Sequence, residues 1–174
     1  TSSGTSVSQA TAAASSSQNQ SKYEANVASV AGKMDNRVIA AYQQLGFKLV
    51  VDPSVNYSGY FDARSRSITM KQIDDSVYHE LGHFLAFIAG NADKTASFQS
   101  IFAAEKANVT AFNKAYVTQN ASEYFAESVK DYILNNASLK NTRPQTYAAV
   151  QNALNQITDA QIAKIQKIYG AFWN

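Results

Sequence analysis

The sequence predicts an α+β domain, mostly helical, with a small β-sheet preceding the helix that carries both histidines of the chain. Three observations lead there. Apolar residues recur at steps of three and four through most of the chain, which is the helical period. Three short β-like stretches, 47–51, 59–62 and 67–70, fall close together in the first half. Residues 75–85 then read DSVYHELGHFL, and His79 and His83, at i and i+4, share one helical face.

Composition sets the outer bounds. A chain of 174 residues, 45% hydrophobic and 11% aromatic, can bury one sizeable core. A net charge of +2 without a dense basic run argues against nucleic acid as a partner. No apolar run approaches the ~20 residues of a membrane span. Cysteine is absent, which removes any disulfide framework or thiolate metal site. No internal repeat is present.

The elements follow in order. Residues 1–20 are nearly all Ser, Thr, Ala and Gln and cannot bury enough apolar surface to offset their ordering entropy. They read as a tail or linker, either a spacer left after removal of a signal peptide or an uninformative end; residues 21–174 form the domain. From Lys22, the stripe Val27, Val30, Met34, Val38, Ala41 and Leu45 predicts one long helix, with Gly46 as its C-terminal cap. Phe47-Lys48-Leu49-Val50-Val51 reads as a strand stopped by Asp52-Pro53. Gly59-Tyr60-Phe61-Asp62 and Ser67-Ile68-Thr69-Met70 flank a four-residue turn and read as a hairpin. Its open edge at Gly59, Tyr60 and Phe61 could pair with an extended peptide or simply cover the core. Tyr60, Arg64 and Arg66 could contact such a peptide.

The helix holding the histidines starts where Asp74, Asp75 and Ser76 offer caps and ends at Gly90-Asn91. Tyr78, Leu81, Leu85 and Ile88 point to its core side. Gly82 costs roughly 1 kcal/mol against Ala inside a helix, so its presence predicts that another backbone comes close. A helix follows over 95–106, then a looser stretch to Asn120. Further helices are predicted over 121–133, from a cap at Thr142 with Pro144 to about Gln156, and from Thr158 to about Ile168, with Phe172 and Trp173 anchoring the end.

His79-Glu80-Leu81-Gly82-His83 matches H-E-x-x-H. Two imidazoles one turn apart can each direct a ring nitrogen at one tetrahedral Zn²⁺. Glu80 leans to the same side, where it can act as general base toward a water. Two histidines placed four apart by accident on a surface helix would give the same pattern. A zinc site of this type needs a third protein ligand and leaves a fourth position open. Glu123 and Glu127 sit four apart on the later helix, where two carboxylates repel unless a cation lies near. Glu123 is the candidate ligand, and Glu127 could fix a histidine tautomer through its other ring nitrogen. Asn120-x-x-Glu123 also reads as a capping box, which would occupy Glu123 with backbone alone.

Taken together, HELGH and the later Tyr116-(six residues)-Glu123-Tyr124-Phe125-Ala126-Glu127 resemble the catalytic domain of anthrax lethal factor and the secreted Pro-Pro endopeptidases of Gram-positive bacteria. The resemblance spans about 59–133. It implies a zincin-like metallopeptidase domain holding one Zn²⁺ on His79, His83 and Glu123, with Glu80 as general base and Tyr116 facing the metal, where its phenol could donate to an oxyanion. It further implies a secreted, extracellular endopeptidase whose substrate is a peptide or surface protein containing proline; the domain is expected to be a monomer. The alternative from another class is a zinc-stabilised or degenerate domain that binds a protein partner without cleaving it.

Overall fold

The computed structural model describes residues 21–173; the tail read over 1–20 lies outside them. The long first helix expected from Lys22 is divided in the structure. Strand β1 (Tyr23–Ala25) is the first element among the described residues and pairs antiparallel with β2 (Lys48–Val51). The Asn26 side chain then accepts from the backbone N–H of Ala28 and Ser29 and starts a single turn, α1 (Val27–Val30). Asp35 accepts from Arg37 N–H at 2.9 Å and starts α2 (Asn36–Gln44). These side chains offer the backbone a local partner that competes with a continuous helix. The apolar stripe still turns inward: Val27, Met34, Val38, Ala41 and Leu45 are buried. Gly46, at φ 79°, takes the left-handed turn that ends α2.

The expected hairpin forms as β3 (Gly59–Asp62) and β4 (Ser67–Met70), paired antiparallel. β4 also pairs in parallel with β2, giving the order β1-β2-β4-β3 with β3 at one edge. The buried hydroxyl of Tyr42 clamps the parallel pair, donating to Lys48 O at 2.5 Å and accepting from Ile68 N–H at 3.1 Å. Phe47, Phe61, Phe84 and Phe87 fill the space between sheet and helix, with neighbouring ring centroids 4.9–6.3 Å apart. Such aromatic clusters add to simple area burial.

Helix α3 (Ser76–Ile88) carries the histidines. Asp75 stands at its N-cap position without a side-chain bond, and Asp74 does the capping, accepting from Ser76 N–H at 3.0 Å. After a 3₁₀ turn (Ala92–Lys94) come α4 (Ala96–Glu105), a second 3₁₀ turn, the single turn α5 (Lys114–Val117), α6 (Ala121–Leu134), α7 (Asn136–Thr142), α8 (Pro144–Asn155) and α9 (Asp159–Trp173). The cap expected from Thr142 is supplied from elsewhere. The buried Glu105 carboxylate accepts from Gln145 N–H at 3.1 Å and Thr146 N–H at 2.7 Å, which satisfies the open donors of α8. The last helix runs past Ile168 to Trp173, whose indole donates to Ala63 O at 3.0 Å and packs on Phe47. Phe172, expected to anchor the end, is exposed. Among the described residues, no helix is long and apolar enough to cross a membrane.

The core of the fold is the pairing of α3 with α6. Gly82 is the point of closest approach: a Cβ there would lie 2.6 Å from Ala126 O and 2.7 Å from Ala126 Cα. Behind α6, Arg143 is 5% exposed, donates to Ser128 Oγ at 3.1 Å and pairs with Asp131 at 2.5 Å, with its guanidinium over the Tyr124 ring. Tyr124 shares a 2.6 Å hydrogen bond with Thr146. Helix α6 is therefore held from both sides.

This packing predicts the effect of Gly82→Ala. The helix-propensity gain of about 1 kcal/mol is opposed by a clash with backbone that has no flexible end to yield, worth about 3 kcal/mol at the upper end of overpacking costs. The net loss of about 2 kcal/mol should lower Tm by roughly 4–8 °C in thermal melts. An unchanged or raised Tm would contradict the contact.

Candidate metal centre

The site is assembled from two helices that present i, i+4 pairs to each other. On α3, His79 and His83 stand one turn apart, their ring centroids 5.1 Å from each other. On α6, Asn120 Oδ1 accepts from Glu123 N–H at 2.8 Å and sets the first turn. The capping bond is thus present, but the Glu123 side chain is not folded back onto it. Its carboxylate crosses to α3, with Oε2 2.9 Å from His79 Nε2 and Oε1 3.4 Å from His83 Nε2. One turn later, Glu127 Oε2 lies 2.7 Å from His79 Nδ1.

This arrangement has the chemistry of a metal site. His79, His83 and Glu123 each offer a ligand atom, all within 4.8 Å of one another. A neutral imidazole carries one N–H. If Glu127 accepts it from Nδ1, the Nε2 lone pair faces Glu123 and His83, which is the orientation a cation requires. The donor set of two imidazoles and one carboxylate therefore fits a metal ion.

Without a cation, the same groups must satisfy one another. Burial disfavours the charged form of His79, but the Glu123 and Glu127 carboxylates outweigh it and raise its pKa to about 9. Burial likewise opposes ionisation of Glu123 and Glu127. Hydrogen bonds from His79 and His83 hold Glu123 well below the usual carboxylate range, and His79, with Lys130 and Arg143 beyond it, lowers Glu127.

Glu80 projects from the neighbouring position and is 7% exposed. Burial raises its pKa, while His79 and His83 pull it down, as does the Phe61 backbone N–H. Tyr116, on α5, is 54% exposed, with its ring 6.5 Å from that of His79. Burial of its hydroxyl and the charges of Glu123 and Glu80 raise its pKa.

The cleft follows β3. A cavity of about 440 Å³ lies on the His79 side, walled by Tyr57, Gly59, Glu80, Asn113 and Tyr116. A smaller one of about 180 Å³ lies on the His83 side, walled by Phe61, Phe87, Asp93 and Ser122. Tyr60 is exposed on β3, whereas the Phe61 ring packs on Phe47 and Phe84 and its backbone N–H faces Glu80. Arg66, expected as a possible substrate contact, turns away: it donates to Leu45 O at 3.1 Å and stacks on Trp173. Several cleft residues were missed in the sequence, Lys130 and Tyr57 among them. Lys130 reaches within 3.9 Å of Glu127, a pairing visible as i, i+3. Tyr57 packs beside Tyr60 at 5.9 Å from a loop with no periodic signal.

The sign of the charge coupling makes a prediction for metal-free protein. His79 has a folded pKa raised above 6.5, so its contribution to stability is complete below pH 6.5 and is lost as pH rises through about 9. Glu127, lowered from 4.5, contributes above pH 4.5 and loses its contribution below it. Both describe one interaction. In chelator, the Tm difference between the protein and Glu127→Gln should be largest between pH 4.5 and 6.5 and shrink toward pH 9. A difference that grows with pH would contradict the assignment.

No curated protein sequence matches the chain. The sequence model of the family described as anthrax toxin lethal factor, N- and C-terminal domain, matches residues 62–153. That segment begins at the end of β3, takes in α3 and α6 with every residue of the histidine–glutamate group, and ends within α8. The match covers just over half of the chain, and the chain belongs to this anthrax toxin lethal factor domain family.

Proposed function

We propose that the chain is a secreted zinc endopeptidase with a zincin-like catalytic domain. His79, His83 and Glu123 hold one Zn²⁺, Glu80 is the general base, and Tyr116 donates to the oxyanion. The observation that carries this reading is Glu80, a buried carboxylate on the cleft wall beside the His-His-Glu group. A zinc site serving only stability closes its fourth position with a protein ligand and has no use for an extra carboxylate facing the cleft.

When bound, zinc would polarise the scissile carbonyl and lower the pKa of a water. The remaining work falls to side chains. Burial makes Glu80 a stronger proton acceptor than an exposed carboxylate, suited to take the proton of the attacking water and return it to the leaving amine. The raised pKa of Tyr116 keeps its phenol protonated as a hydrogen-bond donor. Glu127 holds His79 in one tautomer. Among the described residues, β3 has no partner on its outer side, so an extended peptide can add there through the backbone of Gly59, Tyr60 and Phe61.

For the substrate we propose a proline-containing peptide. The exposed rings of Tyr57 and Tyr116 line the cleft, and exposed Tyr60 packs beside Tyr57; polyproline segments dock on aromatic surfaces of this kind. Cleavage of a Pro-Pro bond in a surface or extracellular protein is the finer form of the reading; it rests on the resemblance to the Pro-Pro endopeptidases.

A peptide-library cleavage assay with and without chelator tests the activity and supplies the residues flanking the scissile bond. Glu80→Gln should keep its zinc while kcat/KM falls by roughly 10²–10⁴-fold, the usual worth of a general base. Full activity in that variant would refute the mechanism.

A further inference from the structure

Gly59 opens the edge strand and pairs with Met70. Its backbone does not explain why it is glycine. The glycines with positive φ are Gly46 and Gly90, so Gly59 has a conformation open to any L-residue. A glycine inside a strand loses packing and entropy. What distinguishes the position is the space beside it. A Cβ at residue 59 would lie 2.9 Å from Glu80 Cγ, 3.2 Å from Glu80 Oε1 and 3.2 Å from Met70 Sδ. The first distance is shorter than real Cβ contacts allow, and Cγ is the middle of the Glu80 side chain, not a free end. Glu80 is itself packed into the wall, 7% exposed, between β3 and the histidines. The Met70 thioether, by contrast, can shift.

We infer that Gly59 is a positioning residue for Glu80: the missing side chain leaves the slot in which the carboxylate stands beside His79 and His83. The catalytic consequence rests on the peptidase reading above; the steric relationship does not. Any larger residue at 59 must either rotate Glu80 away from the group or lift β3 off α3. The strand edge would then do two things, presenting backbone to a peptide and fixing the base that acts on it.

The test is a set of double-mutant cycles. By thermal melting, Gly59→Ala should lower Tm by roughly 3–6 °C in the unaltered protein. It should do so equally in Glu80→Gln, where the side chain has the same shape without the charge. In Glu80→Ala the penalty should vanish or reverse, because the new methyl fills the emptied slot. A penalty that persists in Glu80→Ala would assign the contact to Met70 and overturn the inference, as would no penalty in the unaltered protein. This readout needs no activity, so it decides the inference even if the chain cleaves nothing. In a chain that cleaves, Gly59→Ala should lower kcat about 10–100-fold with zinc content and KM unchanged. A raised KM with normal kcat would show that residue 59 acts on substrate binding and not on Glu80.

Discussion

The site depends on one contact between two backbones. Gly82 lets α3 approach α6 until their main chains touch at Ala126, and no side chain mediates the approach. Helices usually pack with axes 8–10 Å apart, and a methyl group at this crossing would widen the gap. The cost would not be confined to packing. On α6, Glu123 lies three residues and Glu127 one residue from the crossing at Ala126, and His79 and His83 flank it on α3. A small separation there moves every histidine–carboxylate pair together, which is why a helix accepts a residue worth about 1 kcal/mol less than Ala at this position.

With the helices in register, electrostatics completes the arrangement. His79 stands between two carboxylates, one at each ring nitrogen. Either the imidazole is protonated on both sides or one side faces a cation. The first state is a buried ion cluster whose desolvation cost is offset only while all members remain. The second leaves Glu127 as the acceptor and frees the other nitrogen. Arg143 and its partners Ser128, Asp131 and Tyr124 brace α6 next to Glu127, which resists rolling of the helix that presents the carboxylates.

Much of this was legible in the sequence because it is local. The i, i+4 spacing of His79 and His83, the repeat of that spacing at Glu123 and Glu127, and a helical glycine between the histidines can all be read without tertiary information. The hairpin at 59–70 was legible from its turn and flanking residues. The failures share a physical cause: they are set by partners distant in sequence or by local caps that outcompete periodicity. The first helix breaks because Asn26 and Asp35 cap new starts and because Tyr23–Ala25 find β2. The start of α8 is capped by Glu105, some 40 residues away. The last helix continues because Trp173 meets Phe47 and Ala63 across the chain. The pairing of Glu80 with Gly59 was also hidden, since a glycine in a strand gives no sign of which side chain occupies its missing volume.

The helix pair brings His79, His83 and Glu123 together as a group that could hold a metal ion, and zinc is the ion proposed for it. The most direct measurement is the metal content per chain after exhaustive dialysis against zinc-free buffer, made on the protein and on Glu123→Ala side by side. About one zinc per chain is expected in the first and loss of the metal in the second, with the fold retained by circular dichroism. Zinc held equally well by Glu123→Ala, or none held by the unaltered protein, would contradict the proposal.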